Sequence, residues 1–179
     1  MRIISGKYKS RRIQVPANFK ARPTTDFARE NLFNVLNNLI DWEETNALDL
    51  FSGTGSVAIE MVSRGCPRVV CVEMSPIHYN FISKAKDILK ANELFPLKAN
   101  AFKFLATSHE KFDLIFADPP YEMPEIETIP NLILDHSHLN EGGLFVFEHS
   151  KKFNFTDNDS FMEERVYGSV HFTFFKNKL

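Results

Sequence analysis

The sequence is poor in cysteine, in long apolar runs and in net charge. Its 179 residues include only two cysteines, Cys66 and Cys71. Their spacing fits neither a CxxC redox pair nor a zinc knuckle, and two cysteines cannot build a disulfide framework. A reducing cytoplasm is the simple expectation. No apolar run approaches the roughly 18 residues of a membrane span. The longest, at 112–117 and 144–147, are strand-length. The N-terminal Met1-Arg2-Ile3-Ile4-Ser5-Gly6-Lys7 lacks the apolar core of a signal peptide. Internal repeats and low-complexity tracts are missing. The formal net charge is −2 with pI near 6.3. Summed over the chain, that balance speaks against a nucleic-acid binder. Phenylalanine is plentiful, with 18 residues in a chain 44% apolar and 25% charged. Such a composition suits one folded domain with a sizeable core rather than a disordered chain.

Strand and helix patterns alternate along most of the length. Ala47–Phe51 is a short apolar run ending in Ser52-Gly53-Thr54-Gly55. Residues 56–64 read as a helix stopped by Gly65. Residues 68–73 are β-branched and read as a buried strand. Ser75-Pro76 reads as a helix start, with the helix running to about Ala91 and burying Ile77, Phe81, Ala85, Ile88 and Leu89. Strands are expected at 94–99, 112–117 and 144–147, with a short helix after the first and a helix at 126–135. Residues 161–167 and 170–175 alternate around Gly168-Ser169, a hairpin signal. Near the start, residues 2–5 and 11–15 read as a small hairpin arm. A helix at about 26–38 follows, with Thr25 as N-cap and Ala28, Leu32, Val35, Leu36 and Leu39 facing inward. The pattern predicts an α/β fold with a mostly parallel sheet covered on both faces and one antiparallel strand added at an edge.

Two motifs carry chemistry. Gly53-Thr54-Gly55-Ser56-Val57-Ala58 matches G-x-G-x-x-A between a strand and a helix, and Glu73 ends the next strand. Glycines let the backbone approach a ligand, and a strand-end carboxylate accepts two ribose hydroxyls. The pattern suits a nicotinamide dinucleotide and S-adenosylmethionine alike. Asp49, inside the preceding strand, favours the latter. A buried carboxylate needs a partner, which the ammonium of an amino-acid-bearing cofactor supplies, whereas a pyrophosphate would be repelled. The second motif, Asp118-Pro119-Pro120-Tyr121, follows the fourth strand and points to the same crevice. Two prolines fix the turn and remove two donors, so its carbonyls are expected to face outward without local N–H partners. Asp118 and the carbonyl of Pro119 can then each accept an N–H of a planar amine, while Tyr121 stacks on its base.

Together these residues resemble the class I S-adenosylmethionine-dependent methyltransferases of exocyclic amines. More narrowly, the chain resembles the RsmD family, which methylates N2 of a guanine in bacterial 16S rRNA (guanine 966 in customary rRNA numbering). The likeness runs along nearly the whole chain. It is most specific at residues 2–8, at Arg22-Pro23-Thr24-Thr25-Asp26, at residues 29–34 and at Asp49-Leu50-Phe51-Ser52-Gly53-Thr54-Gly55. The resemblance implies a Rossmann-like seven-stranded sheet with its last strand antiparallel, preceded by the hairpin arm and helix. It implies a cofactor site of Asp49, Phe51, Ser52, Gly53, Thr54, Gly55, Glu73, Met74, Asn100 and Ala101. Asp118, Pro119, Pro120 and Tyr121 would orient the target amine. Arg2, Lys7, Lys9, Arg11, Arg12, Arg22, Thr24 and Arg29 would meet RNA. Asn100 stands where many such enzymes carry Asp.

Residues 1–30 hold eight Lys or Arg against Asp26 and Glu30, a balance of +6, and the other 149 residues sum to −8. The mild total is thus a cancellation. It hides a basic arm, expected at 1–22, on an acidic body at 23–179, all in one domain. The expected partner is 16S rRNA in the small ribosomal subunit or an assembly intermediate, met by a monomer without metal or membrane. His136 and His138 read as surface, Phe172, Phe174 and Phe175 as sheet packing, and Glu148 as a solvent-facing strand end, with a second site carboxylate as its other reading. A second enzymatic reading is methylation of adenine N6 or cytosine N4 in DNA. The residues also admit a binding factor without catalysis and a nicotinamide-dependent oxidoreductase.

Overall fold

The computed structural model describes residues 1–17, 19, 25–136 and 138–178. Arg22 and Thr24 therefore lie outside the described residues. The elements in chain order are α1 (Asp26–Leu36), β1 (Asn46–Leu50), α2 (Ser56–Arg64), β2 (Arg68–Glu73), α3 (Pro76–Leu89) and β3 (Leu94–Lys98). There follow α4 (Ala101–Thr107), β4 (Phe112–Ala117), α5 (Ile129–Asp135), β5 (Leu139–His149), β6 (Phe161–Tyr167) and β7 (Val170–Lys176). Among the described residues, no helix is long and apolar enough to cross a membrane.

The seven strands form one sheet in the order β3-β2-β1-β4-β5-β7-β6. The first five are parallel, and β7 runs antiparallel to both neighbours. The antiparallel strand is thus not an edge addition. It slots between β5 and β6, and β6 forms the edge. Alternate side chains serve opposite layers. Leu114 and Phe116 of β4 pack with α1, α2 and α3, while Ile115 and Ala117 pack with α4 and α5. Phe172, Phe174 and Phe175 are fully buried in the sheet, as expected. His136 is exposed, but His138 is buried just before β5 rather than at the surface. Its neighbour Leu139 enters the sheet and draws it inside, and burial lowers its pKa.

Helix α3 departs from its expected face. Ile77 and Ile88 are 57% and 58% exposed, and Ile82 is buried beside Phe81, Ala85 and Leu89. Ser75 precedes α3 without capping it through its side chain, whereas Thr25 accepts from Ala28 N, 3.1 Å, as an N-cap should. Helix α1 stops at Leu36, leaving Leu39 exposed.

Residues 1–13 form no regular strands. Arg2 and Arg12 make a single antiparallel bridge around a 3-10 turn at Gly6–Tyr8. This loop is clamped along α2. Both oxygens of the buried Glu60 receive backbone N–H groups, from Ile4 at 2.8 Å and Ser5 at 2.9 Å. Tyr8 N donates to Ser63 Oγ. Gly6 sits so close that a Cβ there would lie 1.7 Å from the carbonyl oxygen of Ser63. Ile3, Tyr8 and Ile13 are buried. Residues 1–13 are therefore docked on the body.

Candidate active site

Strand order reverses at β1, which lies between β2 and β4. In open α/β sheets, the crevice beyond the strand ends at such a point takes the ligand. A cavity of about 630 Å³ opens there. Its lining includes Asp49 of β1 with Phe51, Ser52, Gly53 and Thr54 of the first loop, which follows it, and Glu73 at the end of β2 with Met74 of the second loop after it. Asn100 and Ala101 line it from the third, and Asp118, Pro119, Pro120 and Tyr121 from the fourth. Both sequence motifs therefore converge on one space.

The first loop turns sharply because three residues adopt positive φ: Phe51 at 61°, Gly53 at 55° and Gly55 at 70°. At Phe51, a non-glycine residue, that conformation is strained and is held by its surroundings. Phe51 meets Phe102 edge to face, with ring centroids 6.1 Å apart. Gly53 N donates to Glu73 Oε2, 2.8 Å, and Ser75 N to Glu73 Oε1, 2.7 Å. Each oxygen of Glu73 keeps a lone pair for a further donor. Gly55 has a different task. It does not line the cavity but precedes α2, where a Cβ would press on Ile82 Cγ1 at 3.0 Å.

Asp49 is 1% exposed in the middle of β1. Its Oδ2 accepts from Ala58 N at 3.2 Å. Burial raises its pKa to about 8, against the pull of hydrogen bonds from Ala58 and Ser52; the charge of Glu73 adds to the rise.

Asn100 caps α4 by accepting from Lys103 N, 3.1 Å, and its amide lies 3.6 Å from the sulfur of the exposed Met74. In the fourth loop, Met123 N donates to Pro120 O, 2.9 Å. The expectation that both proline carbonyls lack local partners is therefore wrong for Pro120, because the turn closes on it. Glu148, expected to face solvent, is 3% exposed and lines the cavity. It accepts from the Tyr121 hydroxyl at 3.1 Å. His78, Phe102 and Met123 also line the cavity. None of them carries a motif, so the sequence does not single them out. His78 has a local signal, standing two residues after a helix-starting proline and next to the Glu73 loop.

The expected RNA contacts divide. Lys9, Arg11 and Arg12 are exposed. Arg2 faces Asp26 and Glu30 on α1, at 3.6 and 3.9 Å. Lys7 pairs with Glu93, just before β3 and so at the end of the sheet away from the cavity. Arg29 is not a surface cation. Its side chain is 3% exposed and donates to Asp26 Oδ1 at 2.8 Å and to the Arg2 carbonyl at 2.6 Å. It braces the arm from within, and burial lowers its pKa.

Known proteins resemble this chain in sequence and in fold. "Ribosomal RNA small subunit methyltransferase D" of Escherichia coli K12 is 30% identical over 181 residues, spanning 99% of this chain and 90% of that protein. The protein of the same name from Buchnera aphidicola is 29% identical, covering 99% of this chain and 92% of its own length. The solved structure of "Putative methyltransferase yhhF from Escherichia coli" superposes with a TM-score of 0.87 at 30% identity. That superposition covers 99% of this chain and 98% of that one. The family described as Conserved hypothetical protein 95 matches residues 1–176, and the chain belongs to that family.

Proposed function

We propose that this protein is a cytoplasmic, monomeric S-adenosylmethionine-dependent rRNA methyltransferase acting on the N2 amine of a guanine in small-subunit rRNA. The observation that carries the reading is the shared cavity. The cofactor loop, with Asp49 and Glu73, and the Asp118–Tyr121 turn face one space. The names of the relatives supply the rRNA substrate.

The residues present fit S-adenosylmethionine. Glu73 has one further acceptor site on each oxygen for the two ribose hydroxyls. Asp49 is a desolvated carboxylate that the cofactor's ammonium would neutralise. Asn100 and Ala101 would lie beside adenine. The cofactor supplies, when bound, a methyl carbon that takes an electron pair as sulfur departs. Asp118 and the Pro119 carbonyl accept the N–H bonds of the target amine, which directs its lone pair into the cavity. The amine's surplus proton passes to Asp118 or to water. Positioning of this kind supplies most of what such a transfer needs.

RNA is met by the exposed cations Arg2, Lys9, Arg11 and Arg12, joined by Lys7 and by Arg22 and Thr24. In this reading residues 1–22 are the RNA-contacting segment of a single domain. The test offers labelled S-adenosylmethionine to unmodified small subunits and maps the product nucleoside by mass spectrometry. The wild type is expected to give N2-methylguanosine. Asp118→Ala is expected to lose about 100-fold or more in rate while binding the cofactor normally. Retained transfer in that variant would remove Asp118 from the mechanism. An N6-methyladenine or N4-methylcytosine product would overturn the choice of base.

A further inference from the structure

Strands β4 and β5 run parallel with Ala117 opposite Phe147. Asp118 directly follows the last residue of β4 and Glu148 follows Phe147 within β5, so the two acids come from neighbouring strands just past the paired Ala117 and Phe147. Both line the cavity. Glu148 is 3% exposed, and its Oε1 holds the hydroxyl of Tyr121. Two acidic residues from neighbouring strands thus line the one cavity. An ionised carboxylate only accepts hydrogen bonds. Guanine differs from the other amine-bearing bases at this edge. Its exocyclic amine is flanked by a ring N1–H, so two donors are adjacent. Adenine and cytosine place a ring nitrogen acceptor beside their amines.

We propose that Glu148 selects guanine by accepting its N1–H while Asp118 and the Pro119 carbonyl hold the N2 amine. This rests on the functional reading above and adds the residue that chooses the base. A base with a ring acceptor at that point sets a lone pair against the buried carboxylate. That is rejection by an unmet polar group rather than by shape. Tyr121 keeps Glu148 aimed and does not itself read N1.

The test compares small subunits assembled around rRNA carrying guanine or 2-aminopurine at the mapped position. 2-Aminopurine keeps the N2 amine but replaces N1–H with a lone pair. The wild type is expected to prefer guanine about 100-fold or more, since sites built to hydrogen-bond a group reject analogues lacking it strongly. Glu148→Gln keeps an acceptor for the Tyr121 hydroxyl and gains an N–H donor. It is expected to lose rate on guanine and to gain relative rate on 2-aminopurine, so that the preference collapses or inverts. Tyr121→Phe, which removes the hydroxyl that aims Glu148, is expected to narrow the preference for guanine, and by less than Glu148→Gln does. Calorimetry with S-adenosylmethionine checks that both variants are folded. The wild-type ratio is a test even if Glu148→Gln does not fold. Equal wild-type rates on the two bases, or an equal loss on both in Glu148→Gln, would overturn the proposal. Absence of N2-methylguanosine from the wild type would overturn the functional reading, and the proposal with it. N2-methylguanosine without the swap overturns the proposal alone.

Discussion

Two buried carboxylates meet at helix α2, Glu60 from within it and Asp49 from β1 beside its first turn, and their surroundings are opposite. Glu60 is held from three sides. Ile4 N and Ser5 N donate to its two oxygens, and Arg64 Nε pairs with it at 2.9 Å. Asp49, one strand and one turn away, receives Ala58 N at 3.2 Å, and its pKa is pushed up to about 8. One carboxylate is saturated with partners from its own chain and fastens the N-terminal segment. The other is kept electrostatically uncomfortable beside a cavity. The contrast separates a residue that holds the fold from a residue that, in the proposed function, meets the cofactor's ammonium.

The contrast can be broken most forcefully at Glu60. Glu60→Ala leaves the guanidinium of Arg64 buried without its carboxylate and strips two backbone N–H groups of their acceptor. The expected cost is about 3–5 kcal/mol in chemical denaturation. Asp49 should behave in the opposite sense. Its folded pKa lies above its unfolded value near 4, so its ionisation opposes folding. The stability it permits is complete below about pH 4 and is lost as pH rises toward 8. Asp49→Asn is therefore expected to melt higher than wild type without cofactor. The gap should open between pH 4 and 8, read by thermal melts across that range. The same substitution is expected to weaken S-adenosylmethionine binding about tenfold or more, because a charge-assisted hydrogen bond is lost. A variant that gains cofactor affinity would refute that assignment. The smallest effect belongs to the arm's surface. Lys9→Ala is expected to leave stability within about 0.5 kcal/mol. It should lower the salt slope of RNA binding by about one contact, measured by titration at several ionic strengths.

The parts of the fold that were legible in the sequence are those whose signals are local. Strands β2, β4 and β6 and helix α2 lie where the apolar runs and Gly65 put them. The glycine loop and the Asp118 turn line one cavity because strand ends in a parallel sheet share one side. What escaped depends on distant partners. The strand expected at 144–147 is longer than its apolar run, because β5 begins at Leu139 and runs through Gly142 and Gly143. Gly142 N and Gly143 O bond to Asn177, whose side chain also donates to the carbonyls of Leu139 and Asn140. Glu148 follows an apolar run and reads as solvent-facing. Its hydroxyl partner is Tyr121, 27 residues earlier, across the cavity it lines. Ile77 satisfies the helical spacing, but it lies in the first turn of α3, between Ser75 and His78 at the cavity rather than over the sheet. Arg29 reads as one more cation of a basic arm. Nothing in its neighbours announces that the Arg2 carbonyl would draw it inside.

The place of β7 has a consequence for how the molecule is made. During synthesis the outer edge of β5 stays open until residues 170–176 have emerged, because β6, though made earlier, reaches the sheet only through β7. Val170, part of the cavity lining, arrives at that same moment. An open strand edge is a template for wrong pairing. Part of the cavity wall and the cover for that edge are therefore supplied together, by β7.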